Sequence, residues 1–193
     1  MLQLDHWLFS HLNALAGRWP WLDGLARLFL NDYFVPTLLA VLLAALWFEG
    51  RSKAEQAINQ RAVLVATLST IVGNILVKGC NLLYFRPRPF AEFEVNLLFY
   101  QPTDSSWPSN AAVIGFAIAF GVWRYNRCWG WPMLAIAFLF GFSRIFGGVH
   151  YPLDVLSGAM LAGVAVWLMV QQERAVAWLL QRLGGVVDKL GIG

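Results

Sequence analysis

Apolar residues run almost unbroken through five stretches, roughly 33–48, 57–85, 111–122, 131–146 and 152–170, with short polar segments between them. A helix that crosses a bilayer needs about 20 such residues. The pattern therefore predicts an all-α polytopic membrane bundle with about five or six transmembrane helices. The third and fourth runs are short, so their helices are expected to extend into flanking polar residues or to sit at tilted depth. Gly115, Gly121 and Gly141 within them suit close helix packing. The first 30 residues read differently. Trp7, Leu8, Leu12 and Leu15 form an amphipathic pattern, and Trp19, Trp21 and Leu22 follow, but Arg18, Pro20 and Asp23 interrupt any straight span. Residues 1–30 are expected to be interfacial or re-entrant helices on the outer side, a sixth crossing being the alternative. No small-residue cleavage site typical of a secretory signal is present, so this segment is expected to be retained. The whole chain, 1–193, reads as one domain, with 171–193 as a cytoplasmic tail.

Charge orients the bundle. Arg51, Lys53 and Arg61, then Arg124 and Arg127, then Arg174, Arg182 and Lys189 fall on one side if the spans number five. Basic loops mark the cytoplasmic side. The loop from Arg86 to Ser109 and the corner at His150 then share the opposite, periplasmic or extracellular side, where Arg86 and Arg88 run against the charge rule. The hydrophobic fraction of 59% and a net charge of only +3, with the basic residues scattered, exclude a nucleic-acid surface and leave membrane lipids as the surroundings. Cys80 lies in the second span and Cys128 in a cytoplasmic turn, so a disulfide between them is implausible. Two cysteines make no metal site. Most of the ten tryptophans read as a membrane-interface signal.

Three segments carry candidate chemistry. The first is 143–154, Ser-Arg-Ile-Phe-Gly-Gly-Val-His-Tyr-Pro-Leu-Asp. Pro152 fits the first position of a helix, where its missing N–H costs nothing. Asp154 then falls in that helix's first turn, about one turn beyond His150, placed to hold one imidazole nitrogen and leave the other facing outward. Arg144 closes the preceding helix and offers a planar fork of donors suited to phosphate oxygens. The second segment, Tyr84-Phe85-Arg86-Pro87-Arg88-Pro89-Phe90, ends a span with alternating prolines and puts two arginines on a stiff strand as an anion clamp. In the third, Ser105-Ser106-Trp107-Pro108-Ser109-Asn110-Ala111-Ala112, Ser109 is placed as an N-cap whose helix N-terminus can receive phosphate.

These residues resemble the type 2 phosphatidic acid phosphatases, over roughly 78–158, and look most like their bacitracin-resistance type of undecaprenyl-diphosphatase. The third motif of that family, Ser-Arg-x5-His-x3-Asp, is complete. The first, Lys-x6-Arg-Pro, matches at Arg88-Pro89, and the second, Pro-Ser-Gly-His, at Pro108-Ser109. The resemblance implies a multi-pass phosphatase of the bacterial plasma membrane that works without metal or other cofactor. It implies that His150 forms a phosphohistidine, that Asp154 orients it, and that Arg88, Ser109 and Arg144 bind the phosphoryl group, with the Asn110 backbone as a further donor. Two positions depart from the family. Asn81 stands where it has Lys, with Lys78 one turn deeper on the same helix as a candidate substitute. Ala111 stands where it has the His that protonates the leaving group. The expected function is hydrolysis of undecaprenyl diphosphate or another lipid phosphate. The alternatives are a non-catalytic lipid-phosphate binding or transport protein and a lipid phosphotransferase. Nothing in the residues bears on oligomeric state.

Overall fold

The computed structural model describes residues 2–189; Met1 and residues 190–193 of the expected tail lie outside the described residues. Among these the chain is all-helical: α1 (Leu2–Asn13), α2 (Pro20–Leu30), α3 (Phe34–Phe48), α4 (Lys53–Leu83), the single turn α5 (Pro89–Glu92), α6 (Asn110–Tyr125), α7 (Arg127–Phe146), α8 (Pro152–Gln171) and α9 (Glu173–Lys189). The sequence marks most of the starts. Ser52 accepts from the Glu55 amide at α4, Ser109 from the Ala112 amide at α6 and Asn126 from the Trp129 amide at α7, each relieving one of the unpaired N–H groups of a first turn. Pro152 opens α8, and the Asp154 carboxylate reaches back to the Tyr151 amide at 2.9 Å.

Three helices, α4, α7 and α8, are each long and apolar enough to cross a bilayer. α2 and α3 meet that measure only together and are bent by 61° where they join; α6 is apolar but 16 residues long. Mutual burial of small residues holds the centre. Gly121 of α6 lies so close to α4 that a Cβ there would meet the Ala66 Cα at 2.6 Å. At Gly141 of α7 it would meet the Val155 side chain at 2.8 Å, and at Gly115 the Ala137 side chain at 3.3 Å. α3 covers this core with Val35, Leu39, Leu43 and Leu46, packed among Ala62, Ala66, Val122, Met133 and Phe140.

The loops divide between two ends. Residues 49–52 and Asn126 share one end, joined where the Asn126 amide donates to Asn59 and Asn59 donates to the Glu49 carbonyl. The other end gathers residues 31–33, 84–109 and 147–151. There α1 is fastened across the corner between α7 and α8. Asn13 donates to the carbonyls of Phe146 and Asn96 and accepts from the Asn96 amide, while Phe9 packs on Tyr151.

Candidate active site

His150 sits at this second end, 4% exposed, and its ring is fixed by the loop ahead of α6. Nδ1 lies 2.8 Å from the Ser106 carbonyl oxygen. A carbonyl only accepts, so Nδ1 carries the proton and Nε2 keeps its lone pair. Nε2 faces the Arg88 guanidinium, 3.2 Å from Nη1, which also donates to the Val149 carbonyl at 3.0 Å. Burial pushes His150 below the ordinary histidine range; the Asp154 carboxylate opposes that shift and the Arg88 charge adds to it. The ring is thus a neutral base at neutral pH, with its Nε2 lone pair accepting from Arg88.

Nε2 opens on a cavity of about 300 Å³ lined by Arg88, Arg144, Asp32, Asp104, Asn81 and Ala111, among others. Arg88 and Arg144 supply its cations. Each is held by a carboxylate, Arg88 by Asp104 at 2.8 Å and Arg144 by Asp32 at 2.9 Å. The Tyr100 hydroxyl donates to the other Asp32 oxygen at 2.8 Å. The Arg144 Nε and the Asn81 Oδ1 are buried without a hydrogen-bond partner, which leaves the cavity wall with unused polar capacity.

Of the sequence-derived candidates, His150, Arg88, Arg144, Asn110, Asn81 and Ala111 meet around this one space. Four others are placed differently. Arg86 does not join the clamp; its fork is spent on two buried carboxylates, Asp154 at 2.6 Å and Asp5 at 2.7 Å, with Tyr151 under its plane. Backbone geometry accounts for this: Arg88 has φ −81° and ψ 156°, close to polyproline II, in which side chains two positions apart diverge. Lys78 is exposed and outside the cavity, because the face of α4 that lines it carries Val77 and Asn81, one turn apart, and Lys78 is rotated about 100° from Val77. Ser109 caps α6 through its Oγ and is buried behind the cavity wall. Asp154 does not bond His150 directly. Its Oδ2 is 3.7 Å from Nδ1 and accepts instead from Ser106 Oγ at 2.5 Å.

Sequence reasoning passed over Ser106, Asp32, Asp104, Tyr100 and Asp5. Ser106 lies in the segment ahead of α6, where capping position singles out Ser109 and no sequence signal singles out Ser106. The others carry no motif or periodic spacing.

A buried imidazole whose Nε2 meets one arginine fork, in a cavity lined by a second, is equipped to attack an anionic phosphorus centre. At the end of a bundle of membrane-crossing helices, that site defines a membrane lipid phosphatase. Residues 62–178 match the PAP2 superfamily, and the chain belongs to that family. It is 31% identical over 159 residues to the undecaprenyl-diphosphatase BcrC of Bacillus subtilis, covering 82% of this chain and 79% of that protein. It is 34% identical over 154 residues to a Bacillus licheniformis protein named bacitracin transport permease protein BcrC, covering 79% of this chain and 72% of the other. Among solved structures, Aquifex aeolicus LpxE superposes with a TM-score of 0.67 at 28% identity, over 87% of this chain and 95% of that one.

Proposed function

We propose that the protein removes the terminal phosphate of undecaprenyl diphosphate through a phosphohistidine at His150. The observation that carries this reading is the Nε2 lone pair beside Arg88 in a cavity whose wall has Ala111 and Asn81 where an acid and a cation are expected. Nε2 forms a bond to the terminal phosphorus as the P–O bond to the lipid phosphate breaks. Nδ1 keeps its proton on the Ser106 carbonyl, so the ring becomes cationic. Water then cleaves the N–P bond; its protons go to phosphate and solvent, and the ring returns neutral. Arg88 and Arg144 meet the charge that builds on the phosphoryl oxygens.

The substrate class follows from the leaving group. An alkoxide leaving from a phosphate monoester needs a proton, and a general acid typically contributes about 10²–10⁴-fold. A lipid phosphate leaving from a diphosphate is far more acidic and departs without that help. A site lined by the Ala111 methyl at the acid's position suits the diphosphate. The name of the Bacillus subtilis relative points the same way.

The site faces the periplasm or cell exterior of a bacterial plasma membrane. In support, Arg51 lies in the loop, and Lys53, Arg124 and Arg127 in the adjoining helix ends, at the end opposite His150. The reading is tested by phosphate release from purified protein on undecaprenyl diphosphate and on phosphatidic acid. We expect faster turnover of the diphosphate and none of either by His150→Ala. A silent parent that still binds the diphosphate would turn the reading to a binding protein.

A further inference from the structure

Behind the imidazole, away from the cavity, lies a buried chain of charges that reaches the N-terminal helix. Asp5 of α1 is fully buried at its side chain. Its Oδ2 takes Arg86 Nη2 at 2.7 Å and its Oδ1 takes the Leu153 amide, in the first turn of α8, at 2.8 Å. The second nitrogen of the same Arg86 fork holds Asp154 Oδ1 at 2.6 Å. Asp154 Oδ2 accepts from Ser106 Oγ and the Tyr151 amide, and Ser106 in turn holds His150 Nδ1 through its carbonyl. Asp5 lies outside the stretch that matches the family, and no motif in the sequence includes it.

Counting charge shows what this arrangement does. Arg86 and Asp154 alone sum to zero. With Asp5 the buried trio carries one net negative charge, next to a ring that must become cationic when it takes a phosphoryl group. Inside a protein such a charge acts with little screening. Arg86 divides its fork between two carboxylates, so Asp154 is not neutralised and its second oxygen remains a strong acceptor.

We infer that Asp5 is a positioning residue for catalysis, resting on the phosphohistidine reading above: it shares the Arg86 fork with Asp154 and supplies the surplus negative charge that the imidazolium of the reaction requires. The α1 helix is then a working part of the site.

Asp5→Asn removes the charge and, with it, the oxygen that accepts from Arg86 Nη2, while the amide oxygen still accepts from the Leu153 amide. Phosphate release from undecaprenyl diphosphate is measured across pH on folded, detergent-purified parent, Asp5→Asn and Asp5→Glu proteins. We expect Asp5→Asn to lower kcat about tenfold or more, with KM within about twofold. Its acid limb should move to lower pH, because the protonated ring loses an attraction. The charged groups around the ring, namely Arg88 with its partner Asp104, Arg144 and Asp154, are common to all three proteins. So are those beside Asp5, namely Arg86, His6 and the Tyr151–Glu92 pair, and the comparison therefore reads the Asp5 carboxylate, its charge together with its bond to Arg86. Asp5→Glu, which keeps the charge, should hold kcat within about threefold of the parent. A raised KM at unchanged kcat, a fixed acid limb, or an Asp5→Glu protein as slow as Asp5→Asn overturns the inference. Should Asp5→Asn fail to fold, Asp5→Glu decides: retained kcat with the parent's limb supports it, and a folded but tenfold slower protein overturns it. An active His150→Ala control would defeat the phosphohistidine reading itself, a result that none of the Asp5 outcomes can mimic.

Discussion

His150 and Asp154 stand one turn apart in sequence, yet they are not hydrogen-bonded: Nδ1 and Oδ2 are 3.7 Å apart, and Ser106 serves both. Its carbonyl takes the imidazole N–H and its hydroxyl takes the carboxylate. The two functions are separable, since Ser106→Ala removes the hydroxyl and keeps the carbonyl. The ring should stay in place while Asp154 loses one of its donors. We expect kcat to fall by about tenfold, the value of one charge-assisted hydrogen bond of about 1.5 kcal/mol, with little change in KM. Unchanged turnover would show that the hydroxyl contributes nothing to the ring.

Restoring the absent acid gives a sharper test. Ala111→His places an imidazole at the cavity wall in the first turn of α6. Turnover of phosphate monoesters should rise by about 10²-fold or more, and that of diphosphates by much less. Equal gains on both substrates, or none on either in a folded protein, would remove the leaving-group argument for the diphosphate.

The pH profile follows from burial. Attack needs the neutral ring, and burial holds His150 below its ordinary value of about 6.5. Activity should therefore persist as pH falls through that value and be lost only below it, when the ring takes a proton. Arg88 pushes in the same direction as burial, so Arg88→Gln should move the acid limb of kcat/KM to higher pH while lowering its plateau. Running parent and variant on one substrate cancels the substrate's own ionisation. A limb that moves down in Arg88→Gln contradicts the geometry.

Packing beneath the site can be tested without touching it. A Cβ on Gly158 of α8 would meet the Ser109 carbonyl oxygen at 2.6 Å and the Ala112 side chain at 2.9 Å, whereas at Gly163 it meets nothing within 4 Å. Gly158→Ala should force α8 away from the start of α6, costing about 1–3 kcal/mol and some activity. Gly163→Ala should be neutral or slightly stabilising, by up to about 1 kcal/mol. Thermal unfolding in detergent separates the two; equal melting temperatures would mean that the α6–α8 contact gives way freely.

Sidedness is read by chemical labelling. In a Cys80→Ser, Cys128→Ser background, a cysteine at Thr103, exposed in the loop ahead of α6, should react with an impermeant thiol reagent in intact cells. One at Ser52, exposed at the other end, should not. The reverse pattern would invert the orientation.

The helices and the corner at His150 were legible because periodic apolar runs and punctuating residues act locally. Pro152, Ser109 and the close-packing glycines of α6 and α7 do in the structure what their chemistry suggests in the sequence. The pairing of charges was not legible. Arg86 and Arg88 look alike on one stiff segment, yet one binds carboxylates behind His150 and the other faces its ring. Their partners lie far off in sequence: Asp5 is 81 residues from Arg86, and Asp32 is 112 from Arg144. No spacing rule reaches that far, and only the folded bundle decides which carboxylate meets which arginine.

Both arginines of the cavity already hold an aspartate, and this bears on how a reaction cycle ends. On the proposed mechanism a phosphate arriving at Arg88 and Arg144 does not meet bare cations; it would exchange places with Asp104 and Asp32, both partly open to solvent. The electrostatic gain is then a difference between two anions. A lipid substrate adds the burial of its chain to that small difference. Inorganic phosphate has no chain, so the returning aspartates expel it. On the proposed mechanism the resting pairs would make product release the easy step, and inorganic phosphate should inhibit only weakly.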